Sequence, residues 1–279
     1  MFYRATRITL SLLPLIAATA SAQSVIAHRG DSLNAPGNTL SAIRSASGKA
    51  DIMEMDVRRT ADGELVLMHD RSVRDTTNGF GFILGMTRDR LRTLDAGAWF
   101  SPAYAGEKIP TLSEALRASV AGGMEPLVER KSGSARAYDK VFRETGLDPS
   151  SLSVMSFSRG FVRQMNRINP DYNLGVLGFG PITRTKVNRL SRYGADFVSW
   201  NHRRITSAKV DIVHARGLKL YAWTVNDFET VRRLSGLGVD GITTDDPALL
   251  KRNRLRRITA TSPRSRRRPM RNRALRNRG

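Results

Sequence analysis

Eight short apolar or β-branched runs recur along the chain, at 25–27, 52–57, 126–128, 152–157, 174–177, 196–200, 218–224 and 241–243. Between many of them lie amphipathic stretches such as 111–120, 159–168, 206–216 and 227–237, with the spacing of crossover helices. That alternation requires parallel strands, because a helix-length connection returns the chain to the same end of the sheet before the next strand begins. Eight such units in a body of this length predict an α/β fold of the (β/α)8 TIM barrel kind, with a doubly wound open sheet as the other solution. One place breaks the rhythm. Asp62-Gly63 separates two strand-like runs, which predicts a hairpin after the second strand, with His69 and Asp70 delivered beside the barrel mouth. The segment of about 71–110 then reads as a long insertion, rich in Gly, Thr and Asp, able to cover that mouth.

The 279 residues divide into three parts on composition. Arg4 and Arg7, the apolar run 8–18 and the small residues Ala20-Ser21-Ala22 predict a cleaved signal peptide at 1–22, hence an exported protein, periplasmic or secreted. The run is too short and too broken by Pro14 to read as a membrane span. A single domain should occupy 23–250. The net charge of +21 suggests nucleic acid until it is located: thirteen Lys and Arg, with no acid, lie in 251–279, and removing them leaves +8. This tail is predicted to be disordered. Without interleaved aromatics it is suited to contact with an anionic surface rather than to specific nucleic-acid binding. The absence of cysteine removes disulfides, thiolate metal sites and cysteine nucleophiles together.

Chemistry concentrates near the strand ends. Glu54 and Asp56 stand two apart on a candidate strand, so both carboxylates face one side, and a buried like-charged pair calls for a hard cation. Glu129 and Lys131 repeat that spacing where the next strand ends, the end at which barrel active sites are built. They could join the first pair, or simply neutralise each other. Of four histidines, His28 and His69 close strand-like runs near these carboxylates and suggest an acid and a base. His202 and His214 read as structural. The nucleophile elbow, the phosphate-cradling loop and the His-Glu-x-x-His zinc motif are all missing, which disfavours serine hydrolases, P-loop enzymes and zinc proteases.

Taken in order, Ala27-His28-Arg29-Gly30, Ala35-Pro36-Gly37-Asn38-Thr39, Glu54-Met55-Asp56-Val57, Met68-His69-Asp70, Leu127-Val128-Glu129-Arg130-Lys131, Trp223-Thr224-Val225-Asn226 and Gly238-Val239-Asp240-Gly241-Ile242-Thr243-Thr244-Asp245 resemble the glycerophosphodiester phosphodiesterase family. The resemblance spans about 24–250. It implies a metal-dependent hydrolase that releases glycerol 3-phosphate and an alcohol from small glycerophosphodiesters. On matching positions Glu54, Asp56 and Glu129 would bind one divalent ion, calcium or magnesium, and His28 and His69 would exchange protons with the attacking and leaving oxygens. Arg29 and Lys131 would hold the phosphate, with Trp223 a wall for the organic part. Gly37 departs from the family pattern, which carries a glutamate there. Two other readings remain open at this stage: a phospholipase D-like enzyme acting on lysophospholipids or sphingolipids, and a non-catalytic cationic binding protein on a barrel scaffold.

Overall fold

The computed structural model describes residues 23–250, so the expected signal peptide at 1–22 and the basic tail at 251–279 lie outside the described residues. Within them the parallel barrel is closed. The strands are β1 (Ser24–Ala27), β2 (Ile52–Arg59), β3 (Leu65–Leu67), β4 (Glu125–Arg130), β5 (Ser153–Ser156), β6 (Asn173–Gly178), β7 (Phe197–Asn201), β8 (Lys219–Trp223) and β9 (Gly241–Thr244). All but β3 pair in parallel, and the ring closes because β1 pairs with both β2 and β9. The extra strand β3 runs antiparallel to β2, with Val57 opposite Leu67, and Gly63 supplies the positive φ of +93° that the connecting turn needs.

Helices alternate with these strands: α1 (Leu40–Ala46), α2 (Arg88–Arg92), α3 (Leu112–Ala121), α4 (Ala135–Thr145), α5 (Arg159–Ile168), α6 (Arg184–Ser191), α7 (Ser207–His214) and α8 (Phe228–Leu237). Local chemistry starts and stops them. Thr111 and Glu114 form a reciprocal capping box on α3, Ser158 and Asp227 cap α5 and α8, and Gly146 and Gly238 end α4 and α8 in the left-handed region.

Two apolar layers follow from strand alternation. One lies between strands and helices, from Met53, Met55 and Val57 out to Tyr138, Phe142 and Leu234. The other fills the barrel axis with Ile26, Ile52, Leu127, Met155, Leu177, Phe197 and Tyr221. The axis holds two large rings, Phe197 and Tyr221, 4.8 Å apart, because small residues face them. A Cβ on Gly175 would come within 2.1 Å of the Phe197 ring, and one on Gly241 within 2.8 Å of Tyr221.

The insertion is folded, not a loose flap. Val66, Met68, Val73, Ile83, Leu91, Leu94, Ala96 and Ile109 make a small core of its own, and the Asp95 carboxylate accepts backbone N–H groups of Gly97, Ala98 and Gly106 at 2.7–2.9 Å. It covers one flank of the mouth, contributing Thr76, Ala96 and Trp99 to a cavity beside His69.

Candidate active site

The alternation that packs the barrel also builds the acidic cluster. Ile52, Glu54 and Asp56 lie on one face of β2: the first joins the apolar axis, and the next two rise above it toward the C-terminal mouth. Register does the rest, setting Asp56 opposite Glu129 on β4. Oxygens of Glu54, Asp56 and Glu129 all lie within 4.8 Å of one another, and the three residues are buried.

Among the described residues, two cations meet these three carboxylates. Arg29 Nε lies 2.9 Å from Asp56 Oδ2, while Lys131 Nζ lies 3.0 Å from Asp56 Oδ1 and 2.5 Å from Glu129 Oε1. Glu129 and Lys131 therefore do pair with each other, as one reading of their spacing anticipated, yet the lysine is shared with Asp56. These are charge contacts rather than well-angled hydrogen bonds, since Asp56 Oδ1, Glu129 Oε1 and Arg29 Nε complete none. Glu54 is worse served: Oε2 accepts the Arg29 backbone N–H at 2.9 Å, and Oε1 is buried with no partner.

The titration of the cluster reflects that imbalance. Burial, then the charges of Asp56 and Glu129, push Glu54 well above the usual glutamate range. Burial and Asp56 raise Glu129 to about 7 against the opposing charge of Lys131. Burial works on Asp56 too, but Lys131 and Arg29 outweigh it and hold that carboxyl at about 2. A buried site with one more carboxylate than cations, and an orphaned carboxylate oxygen aimed into it, fits a hard divalent ion of the calcium or magnesium type.

Both candidate histidines reach this cavity, each held by a carboxylate from behind. His28 follows β1, and its Nδ1 lies 2.6 Å from Asp245 Oδ1. Asp245 also accepts from Ser32 Oγ at 3.0 Å and from Asn226 Nδ2. Burial opposes ionisation of Asp245, but the hydrogen bond and charge of His28, with Asn226 and Ser32, bring it down to about 2. His69 follows β3, with Nδ1 2.9 Å from Asp70 Oδ1, and its carbonyl accepts Arg58 Nε and Nη2 at 2.9 and 2.6 Å. Burial, foremost among its influences, moves His69 below the usual histidine range. With Nδ1 engaged in both rings, each Nε2 is left for the cavity.

That cavity is lined by His28, Arg29, Glu54, His69, Glu129 and Lys131 on its charged side. Met155, Phe157, Leu177 and Trp223 make the other side, and Trp223 stands edge-on to Phe157 at 6.2 Å. The Trp223 indole N–H donates to the Ser199 carbonyl at 3.0 Å, so this ring is both a barrel-layer residue and a cavity wall. His202 and His214 line neither this cavity nor its neighbour. His214 instead lies 2.7 Å from Asp240, whose carboxylate also accepts the Leu220 N–H.

Four residues beyond the sequence-based set belong to the site: Asp245, Asp70, Arg58 and Asn38. Asn38 sits at φ +61°, donates from Nδ2 to Asp56 Oδ2 at 2.9 Å and accepts the Asp56 N–H at 3.0 Å. Gly37 beside it brings no carboxylate, and a Cβ there would lie 3.3 Å from the Cβ atoms of Arg29 and Ser32.

The glycerophosphoryl diester phosphodiesterase family model matches residues 28–249. A glycerophosphodiester phosphodiesterase of Caldanaerobacter subterraneus subsp. tengcongensis is 36% identical over 237 residues, covering 81% of this chain and 95% of that protein. Among solved structures, an Oleispira antarctica phosphodiesterase in complex with the product sn-glycerol-3-phosphate superposes with a TM-score of 0.76 at 28% identity, covering 82% of this chain and 95% of that one. A glycerophosphodiester phosphodiesterase from Agrobacterium tumefaciens superposes at 0.71 and 27% identity, covering 81% and 98%.

Proposed function

The chain belongs to the glycerophosphoryl diester phosphodiesterase family, and from that premise we propose that it hydrolyses glycerophosphodiesters to glycerol 3-phosphate and an alcohol at the Glu54–Asp56–Glu129 centre. The observation that carries the reading is the convergence of three buried carboxylates, two cations and two carboxylate-backed histidines on one cavity. The product bound to the Oleispira antarctica relative supports a small phosphodiester as substrate.

In this reading Glu54, Asp56 and Glu129 hold one divalent ion. When bound, it supplies Lewis-acid polarisation of a phosphoryl oxygen and charge neutralisation. Arg29 and Lys131 stabilise the negative charge that accumulates on the phosphate as the bond to the leaving group breaks. One Nε2, from His28 or His69, takes the proton of the attacking oxygen as it bonds to phosphorus, and the other returns a proton to the departing alcohol oxygen; water completes the hydrolysis, either as that attacking oxygen or by opening a cyclic phosphate formed first. Asp245 and Asp70 keep each ring turned so that Nε2 faces the phosphate. The uncharged wall of Phe157 and Trp223 receives the organic part of the substrate without competing for its phosphate. Export as a leader-cleaved protein of 23–279 is part of the same proposal, supported by the basic, apolar and small-residue order of 1–22 and checked by N-terminal sequencing of the mature protein.

The test is turnover of glycerophosphocholine, read as glycerol 3-phosphate, after chelation and after adding back calcium or magnesium. Loss with chelator and recovery with one of the ions is expected. Turnover of a lysolipid or sphingolipid with none of glycerophosphocholine would overturn the substrate assignment. Unchanged turnover in His28→Ala and His69→Ala would overturn the roles of the histidines.

A further inference from the structure

The insertion carries a feature that the active site does not use. Phe80, Phe82 and Leu84 are 78%, 68% and 66% exposed, three large apolar side chains within five residues. They alternate with Gly81 and with Ile83, which is 1% exposed and locked in the insertion's own core. All three side chains are exposed, while Ile83, which opens a single 3-10 turn over Ile83–Gly85, pins the segment from beneath. The backbone is tied as well: Val73 N–H donates to the Gly81 carbonyl at 3.1 Å, Ile83 N–H to the Arg71 carbonyl at 3.0 Å, and Ser72 pairs with Phe82. Gly81 has φ +110°, and a Cβ there would meet the Met86 methyl at 2.8 Å, so the display depends on that glycine. This is a fixed apolar ridge, more than scattered surface hydrophobicity.

Its surroundings say what it faces. Between Asp75 and Asp89 the chain has no acid. Arg71 and Arg74, on either side of the residue paired with Phe82, are exposed, as is Arg90 just beyond the ridge; Arg88 and Arg92 are held in ion pairs by Asp89 and Glu114, and Asp75 is exposed beside Arg74, so the flanks keep a positive excess carried by Arg71, Arg74 and Arg90. An apolar ridge in a basic collar is complementary to an interface that is anionic at the surface and hydrocarbon beneath. We propose that Phe80, Phe82 and Leu84 insert into the headgroup region of an anionic bilayer and, with the neighbouring arginines, dock this protein on the membrane. The same insertion lines the cavity next to the substrate cavity through Thr76, Ala96 and Trp99, and the two share Arg29 and His69, so docking would bring the barrel mouth toward the lipid surface.

The proposal is tested by flotation of the full-length protein with vesicles containing phosphatidylglycerol, at about 0.5 M salt, where attraction from the basic tail is screened to a few ångströms. The triple variant Phe80→Ser, Phe82→Ser, Leu84→Ser should lose binding by roughly a thousandfold, since each of the three buried side chains contributes on the order of a tenfold factor. Its turnover of a soluble glycerophosphodiester should be unchanged. In a separate Phe80→Trp protein, brominated phosphatidylglycerol should quench a larger share of the fluorescence than in wild type, whose own tryptophans are Trp99, Trp200 and Trp223. Equal flotation of wild type and triple variant, no extra quenching at position 80, or a concentration-dependent dimer that the triple variant abolishes would each overturn the lipid assignment.

Discussion

Glu54→Gln is the most informative single substitution, because it should stabilise the metal-free protein while destroying its response to metal. In the chelated wild type, Glu54 Oε1 is buried without a partner beside two further carboxylates. An amide there keeps an oxygen for the Arg29 N–H, now 2.9 Å from Glu54 Oε2, and turns two donors toward Asp56 and Glu129. Relieving one unsatisfied buried polar group is worth about 1–3 kcal/mol, which for a domain of this size raises Tm by roughly 2–12 °C. The pH dependence has a definite sign. Glu54 is raised well above its usual 4.5 in the fold, so its contribution to stability is complete below that value and is lost as pH rises. The chelated wild type should therefore soften from about pH 5 upward more steeply than the variant. Glu129, raised to about 7, adds a slope common to both proteins. An ion at a hundred times its Kd should stabilise wild type by about 2.7 kcal/mol, or roughly 5–10 °C, and the variant far less. Differential scanning calorimetry across pH, with chelator and with added calcium or magnesium, measures all of this. A chelated variant no more stable than wild type, or equal stabilisation of both by the ion, would refute the charge imbalance on which the site assignment rests.

Two further substitutions have defined outcomes. Asp245→Asn should lower kcat about 10–100-fold with KM nearly unchanged, the worth of a charge-assisted hydrogen bond to His28, and a change confined to KM in steady-state kinetics would contradict that role. Because the Asp245 carboxyl sits at about 2 in the fold against its usual 3.8, the stability it confers is full above 3.8 and lost as pH falls toward 2; after allowance for its partial exposure, the variant should be about 1 kcal/mol less stable at pH 7 by urea titration. Gly175→Ala should cost about 1–3 kcal/mol in thermal unfolding, since its Cβ would sit 2.1 Å from the Phe197 ring and the barrel axis has no room to give; an unchanged Tm would show that the Phe197 ring moves aside freely.

Chain order determined an alternating parallel α/β fold of eight units, because each strand and helix is specified by local periodicity; that the sheet closes into a barrel and not an open doubly wound sheet was decided by β1 pairing with both β2 and β9. The pairing of Glu54 with Asp56, and of Glu129 with Lys131, was equally legible, since a period of two puts i and i+2 on one face whatever the rest of the molecule does. What lay beyond the sequence is what depends on register and long-range closure. That Asp56 stands opposite Glu129 is set by the β2–β4 register, and that Asp245 stands behind His28, 217 residues away, exists only because β9 closes the ring onto β1. The roles of Asn38 and Arg58 were hidden for the same reason: a side chain that props another residue carries no pattern of its own. Local rules and the family resemblance together thus named the carboxylates and histidines, while the tertiary structure decided which charge is left without a partner, because that count is a property of packed neighbours and not of the order in which they are linked.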